Sequence, residues 1–401
     1  MRYIIIGNGV AGVTAAQHLA ENVSDEDIIQ QFTDEGFPYY WKPQLPSFLG
    51  NDKITEKDVL AYSLDWYKSK KIDLHLNERV ERLNLEEKLV ITPSGEYDFD
   101  RLLLATGADC FVPPIEGRHL QHFYDLRTLN DAIIIRNQLK RSQSVVIIGG
   151  GVLGLEIANS CVQRGITVHT VEFFPYLLPR QLDPEGADVL QKILEKRGMK
   201  FYLGSQVEAI LGTSNVEGVR LKNGMEIKAD LVNVCTGIRS RKRLAEEAGI
   251  SCNKGIQVND YMETNVTNVY AAGDCAEHRD IVYGLIPPST EQARIAATNI
   301  LNPQSQKYTG SKFSATLKIT DLYLTSLGNI KEEEIKDCII KKYWNEEKEE
   351  YVKLFLSEDR ILGAIILGTK RGIPVIRRIF LKNELVNTHR EELNKLFEDL
   401  I

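Results

Sequence analysis

The sequence is poor in the residues that would equip it for thiol, metal or membrane chemistry. Six cysteines occur in 401 residues, at 110, 161, 235, 252, 275 and 338, and no two stand at CxxC or zinc-ligand spacing. That excludes a disulfide framework and a structural zinc, and leaves all six reading as small hydrophobes in reduced surroundings. His119 and His122 lie close together but have no further ligands nearby in sequence, so they read as a surface loop and no metal site is expected. No apolar run approaches the ~20 residues of a membrane span. Lysine and arginine total 49 against 56 acids, a net charge of −7, which argues against nucleic acid or an anionic membrane as partner. Met1 runs straight into the apolar residues 3–6 with no leader pattern, so a cytoplasmic location is expected. What remains is an ordinary globular composition, 43% hydrophobic and 26% charged, in a length that suggests two or three domains.

What is present in abundance is one pattern, used twice. Residues 3–6 read as a strand, Gly7-Asn8-Gly9-Val10-Ala11-Gly12 as a turn opening a helix, and residues 27–32 as a second strand closing on Asp34 and Glu35. In such a GxGxxG turn the first glycine permits the tight bend and the second lets the backbone approach a pyrophosphate. The third lets helix and strand pack closely, and the phosphate rests on the helix N-terminus. An acid about 20 residues on takes the ribose hydroxyls, so Asp34 and Glu35 are both candidates. The pattern returns as a strand at 145–148, the turn Gly149-Gly150-Gly151-Val152-Leu153-Gly154, a helix, and a strand ending at Glu172. Phe173 and Phe174 follow that acid, with no cation beside it. A 2′-phosphate would meet a bare carboxylate, so NADH is expected to be preferred over NADPH.

Three further segments carry a family resemblance. Leu102-Leu103-Leu104-Ala105-Thr106-Gly107-Ala108, Val234-Cys235-Thr236-Gly237-Ile238-Arg239 and Asn268-Val269-Tyr270-Ala271-Ala272-Gly273-Asp274 resemble the later motifs of flavoproteins of the pyridine nucleotide-disulfide oxidoreductase type. The resemblance covers about residues 1–370. Within that group, Pro38-Tyr39-Tyr40-Trp41-Lys42-Pro43 with Leu45, Leu177-Leu178-Pro179-Arg180-Gln181-Leu182-Asp183 and Glu291-Gln292-Ala293-Arg294-Ile295-Ala296 are similar to NADH:rubredoxin oxidoreductases and the flavin domain of assimilatory nitrite reductases. The fold implied is α/β: two Rossmann-type dinucleotide-binding domains plus a small α+β C-terminal domain. FAD would occupy residues 1–112 and 239–305, NAD(H) residues 113–238, and the terminal domain residues 306–401, with strands at 338–343, 351–356 and 361–367 and a solvated charged hairpin at 345–350. The resemblance implies that Gly7, Gly9, Val10, Ala11, Gly12, Asp34, Glu35, Lys42, Val80, Ala105, Thr106, Gly107, Gly273, Asp274, Glu291 and Gln292 hold FAD. It likewise gives NAD(H) to Gly149, Gly151, Val152, Leu153, Gly154, Glu172 and Gly237, and sets Lys42 and Glu156 beside the reacting rings.

One absence then decides among the family's chemistries. Its disulfide reductases carry a CxxxxC pair after the first glycine turn, and related NADH oxidases and coenzyme A-disulfide reductases keep one cysteine there. Residues 36–66 contain none. Without a thiolate beside the flavin, disulfide reduction and peroxide reduction by that route are excluded. Cys275, next to Asp274, reads as packing. Lys42 stands where relatives have an arginine, and Ser47 where some have a lysine, so Glu156 is expected to face Lys42, against the plainer reading of a surface lysine. The expected acceptor is a rubredoxin- or ferredoxin-like protein. A flavin subunit of a larger metalloenzyme complex, an NADH oxidase and a redox-sensing flavoprotein stand as alternatives. Lys42, Lys68, Lys70 and Lys71 are candidates for a basic docking face, and the oligomeric state is left open.

Overall fold

The computed structural model describes residues 1–319, 322–398 and 400. They form two compact units, residues 1–44, 55–111 and 238–311 in the first, and 45–54, 112–237 and 312–401 in the second.

The first unit is built on an all-parallel sheet in the order Val269–Ala271, Arg101–Leu104, Arg2–Ile6, Ile28–Phe32, Ile72–His75. Its central strands are continuous apolar runs because both faces are covered, and Ile4, Ile5 and Leu102 to Leu104 are fully buried. The helix Val10–Ala20 starts at Gly9 and buries Ala15, Ala16 and Leu19. Small side chains on that face let it pack against the helix Ile286–Leu301, whose start carries prolines where their missing N–H groups cost nothing.

The second unit repeats the arrangement with the order Met199–Tyr202, Thr167–Val171, Ser144–Ile148, Leu231–Val234, Phe123–Asp125, again all parallel. Here the fifth strand comes from upstream of the glycine turn rather than from downstream. The short helix Leu45–Gly50 packs on the helix Val152–Gln163: Ser160 Oγ donates to the Pro46 carbonyl at 2.6 Å. The Arg136 guanidinium covers the Phe48 ring at 3.5 Å and donates to the Ile54 carbonyl at 2.8 Å.

The same unit ends in an antiparallel sheet ordered Ser314–Ile319, Leu322–Gly328, Arg360–Leu367, Glu350–Ser357, Ile339–Asn345. Three of these are the expected strands to within two residues at either end. The first two were not foreseen; in the second of them the fully buried Thr325 and Ser326 break the apolar alternation. The helix Ile373–Lys382 closes one face with Ile376, Ile379 and Phe380. The α/β architecture of two Rossmann-type domains and an α+β terminal domain holds. Among the described residues no helix is long and apolar enough to cross a membrane.

Candidate functional site

Both glycine turns have the same construction. Gly7 and Gly149 adopt φ +114°, and their amides donate to the carbonyls of Phe32 and Val171 at 2.8 Å, which ties each turn to the neighbouring strand. A methyl group on Gly12 would collide with the Gly7 carbonyl, and one on Gly154 with the Gly149 carbonyl, so these glycines are required by packing. Gly9 and Gly151 differ. A methyl group on either would meet nothing within 4 Å, and no side chain caps either helix. Each turn therefore offers an open cradle floored by helix N–H groups without partners, and a pyrophosphate fits that donor set.

The acids that follow are held differently. Glu172 is buried and accepts from the amides of Gly150 at 2.5 Å and Phe174 at 2.8 Å, so its carboxylate is pinned at the turn. Glu35 is half-buried and bound by side chains, Tyr40 Oη at 2.5 Å and Lys42 Nζ at 3.3 Å. Asp34 is exposed and lies 3.6 Å from the Arg241 guanidinium. Sequence reasoning missed Arg241: it also pairs with Asp109, while its carbonyl accepts from Thr106 Oγ1 at 2.6 Å and its amide donates to the Gly107 carbonyl at 2.9 Å.

Around Thr106 the first unit gathers much of the remaining sequence set. Ala105 returns its amide to the Ile6 carbonyl at 2.8 Å, and Gln292 Oε1 accepts from the Gly273 amide at 3.0 Å. Asp274 is half-buried, with its carbonyl bound by Ser240 Oγ at 2.7 Å. Val80 lies in the apolar core of this unit. Glu291 is exposed and accepts from Ser311 Oγ at 2.5 Å. In the second unit Val152 and Leu153 open the helix after the turn, and Gly237 takes φ +110° after the strand Leu231–Val234.

Lys42 is ion-paired with Glu35 at 3.3 Å. Glu156 sits on the helix Val152–Gln163, half-buried, and desolvation pushes its carboxyl up to about 7. None of the six cysteines is in a disulfide; burial pushes the Cys161 thiol up to about 12 and raises that of Cys275, which sits against the carbonyls of Leu104 and Ala272. A thiol kept protonated in an apolar site is a packing group. Among the described residues no cluster of metal ligands occurs. Of the lysines proposed for a basic docking face, Lys68, Lys70 and Lys71 meet Asp65, Glu21 and Asp25 at 4.0, 3.0 and 2.6 Å on the surface.

Comparison with known proteins bears directly on this geometry. The pyridine nucleotide-disulphide oxidoreductase family matches residues 1–298, which contain both cradles. The chain belongs to this family. Membership makes FAD and NAD(H) its cofactors and oxidoreduction its class of chemistry. Residues 314–384 match the rubredoxin NAD+ reductase C-terminal domain. The oxidoreductase is 38% identical to a nitrite reductase [NAD(P)H] of Bacillus subtilis over 91% of this chain and 45% of that one, so it spans about half that relative's length. It is 34% identical to an NADH oxidase of Methanocaldococcus jannaschii, covering 92% of this chain and 88% of the other. The crystal structure of NADH:rubredoxin oxidoreductase from Clostridium acetobutylicum superposes with a TM-score of 0.80 at 25% identity, covering 98% and 99% of the two chains.

Proposed function

We propose that this oxidoreductase takes a hydride from NADH and delivers the electrons singly to a small iron–sulfur protein of the rubredoxin or ferredoxin type. One observation carries the reading: residues 36–66 offer no thiol, in a chain that keeps both open glycine cradles. FAD, when bound, supplies the passage from a two-electron donor to a one-electron acceptor. The chain supplies placement. On this reading residues 1–112 and 239–305 hold FAD, with the cradle at Gly9 taking the pyrophosphate and Asp34 and Glu35 the ribose. Tyr40 and Lys42 fix the Glu35 carboxylate for that role. Residues 113–238 hold NADH through the cradle at Gly151. Glu172 cannot swing aside, since two backbone amides hold it, so a 2′-phosphate would meet a fixed negative charge. With NADH as donor and none of the six cysteines in a disulfide, the place of action on this reading is the cytoplasm.

The match of residues 314–384 to a rubredoxin reductase terminal domain supports the choice of acceptor. A second reading, the flavin-bearing part of a larger metalloenzyme, is favoured by the similarity to a nitrite reductase about twice as long. The test is NADH-driven reduction of purified rubredoxin and ferredoxin, measured against oxygen as acceptor. Rapid reduction of an iron–sulfur protein over a slow oxygen background is expected. Oxygen consumed as fast as the best protein acceptor would overturn the reading in favour of an NADH oxidase.

A further inference from the structure

Phe173, at 65% exposure, is the most exposed large hydrophobic side chain among the described residues, and Phe174 beside it is 49% exposed. Their rings stand edge to face, 5.5 Å apart at 85°. Adjacent exposed phenylalanines leave apolar area in water at a cost, so they call for a partner. Their place in the fold says which one.

The loop that carries them is fixed at both ends of the pair. The Phe174 amide donates to Glu172 Oε1 at 2.8 Å, and its carbonyl accepts from Gly204 at 2.9 Å. The Glu172 amide and carbonyl are bound to Tyr202 and Ser205 at 3.0 and 2.9 Å. In a Rossmann unit the nucleotide runs from the glycine turn, which takes the phosphates, to the acid after the second strand, which takes the ribose hydroxyls. The next group along the ligand is the base, and the next residues along the chain are Phe173 and Phe174. No cation precedes Arg180 after Glu172. The neighbourhood therefore suits a flat, uncharged aromatic ring.

We infer that Phe173, buttressed edge-on by Phe174, is the stacking platform for the adenine of NADH, and so a specificity-determining residue of the nucleotide site. The inference rests on Glu172 being the ribose acid. Stacking of a base on an aromatic side chain is worth enough that its removal weakens binding about tenfold.

The test is calorimetric titration of the flavin-loaded protein with ADP-ribose, for the wild type, Phe173→Ala, Phe173→Trp and Glu172→Ala. Flavin reduction by reduced nicotinamide mononucleotide, which lacks the adenine, is measured alongside. Phe173→Ala should bind ADP-ribose about tenfold more weakly. Phe173→Trp should restore the affinity, and reduction by the mononucleotide should be unchanged in both. Unchanged ADP-ribose affinity in Phe173→Ala, or an equal loss with the mononucleotide, overturns the platform. Should Glu172→Ala alone bind ADP-ribose normally, the ribose assignment fails instead, and the two failures are distinct.

Discussion

The two glycine turns share a backbone and differ at the positions where the backbone leaves a choice. Gly7 and Gly149 have the same φ, and the Gly12 and Gly154 positions are closed by the same carbonyls, yet Asn8 in the first turn stands where Gly150 stands in the second. Asn8 Oδ1 accepts from Tyr67 Oη at 2.8 Å, which locks the first turn to an aromatic cluster. Gly150 carries no side chain, and its amide reaches Glu172 instead. A methyl group there would lie 2.7 Å from Leu177 and 3.2 Å from Glu172. The first module thus holds Asp34 and Glu35 through side chains and the second holds Glu172 through backbone. Packing dictates what is common to the two.

The largest expected effects separate the closed glycines from the open ones. Gly12→Val and Gly154→Val drive a side chain into a backbone carbonyl, and each should cost about 3 kcal/mol or more of stability in urea unfolding. Gly9→Val and Gly151→Val place their side chains in open space and should stay within about 1 kcal/mol of wild type. Their loss falls on the ligand instead. Gly9→Val should purify poor in flavin, while Gly151→Val should keep its flavin absorbance and fail to be reduced by NADH. If both variants lost flavin equally, the assignment of one dinucleotide to each module would fail.

A smaller effect is expected at the acids. Glu172→Ala removes a fixed charge from the second module and should narrow the rate advantage of NADH over NADPH about tenfold in stopped-flow flavin reduction. Glu35→Ala, in the other module, should leave that ratio alone and loosen flavin. A preference for NADH that survives Glu172→Ala intact places the selection elsewhere.

Much of this was legible in the sequence because it is local. The strand, turn and helix of each module follow from an apolar run, three spaced glycines and an alanine-rich or leucine-rich helix, all within 35 residues or so of chain. What escaped reading depends on partners remote in sequence. Arg241 acquires meaning only when the fold sets it beside Asp34 and Asp109. Asp183, read only as part of a family segment, caps the helix Pro184–Lys196 and binds Lys353 at 2.6 Å, both side chains nearly buried. Lys70 and Lys71 stand beside Glu21 and Asp25, 49 and 46 positions away, neighbours that no local pattern announces. Periodicity reports which face of an element is apolar, and it carries no record of which charge will stand opposite.

The smallest expected effect tests the comparison at one helix position. Two residues after the third glycine the first module has Thr14 and the second has Glu156, so only the second can change charge there. Desolvation raises the Glu156 carboxyl to about 7 in the folded chain, whereas an unfolded chain titrates near the ordinary value of about 4.3. Between those values the folded state binds more protons than the unfolded one, so stability falls as pH rises through the window. Glu156→Gln cannot ionise and should lose that dependence. In urea unfolding at pH 5 the variant and wild type should differ little. At pH 8 the variant should be the more stable by about 1 kcal/mol, a figure reduced for the partial exposure of the group. Thr14→Ser, its counterpart in the first module, should show no such pH-dependent difference. An offset between Glu156→Gln and wild type that is the same at both pH values would mean that lost contacts, and not the desolvated charge, set the cost at this position.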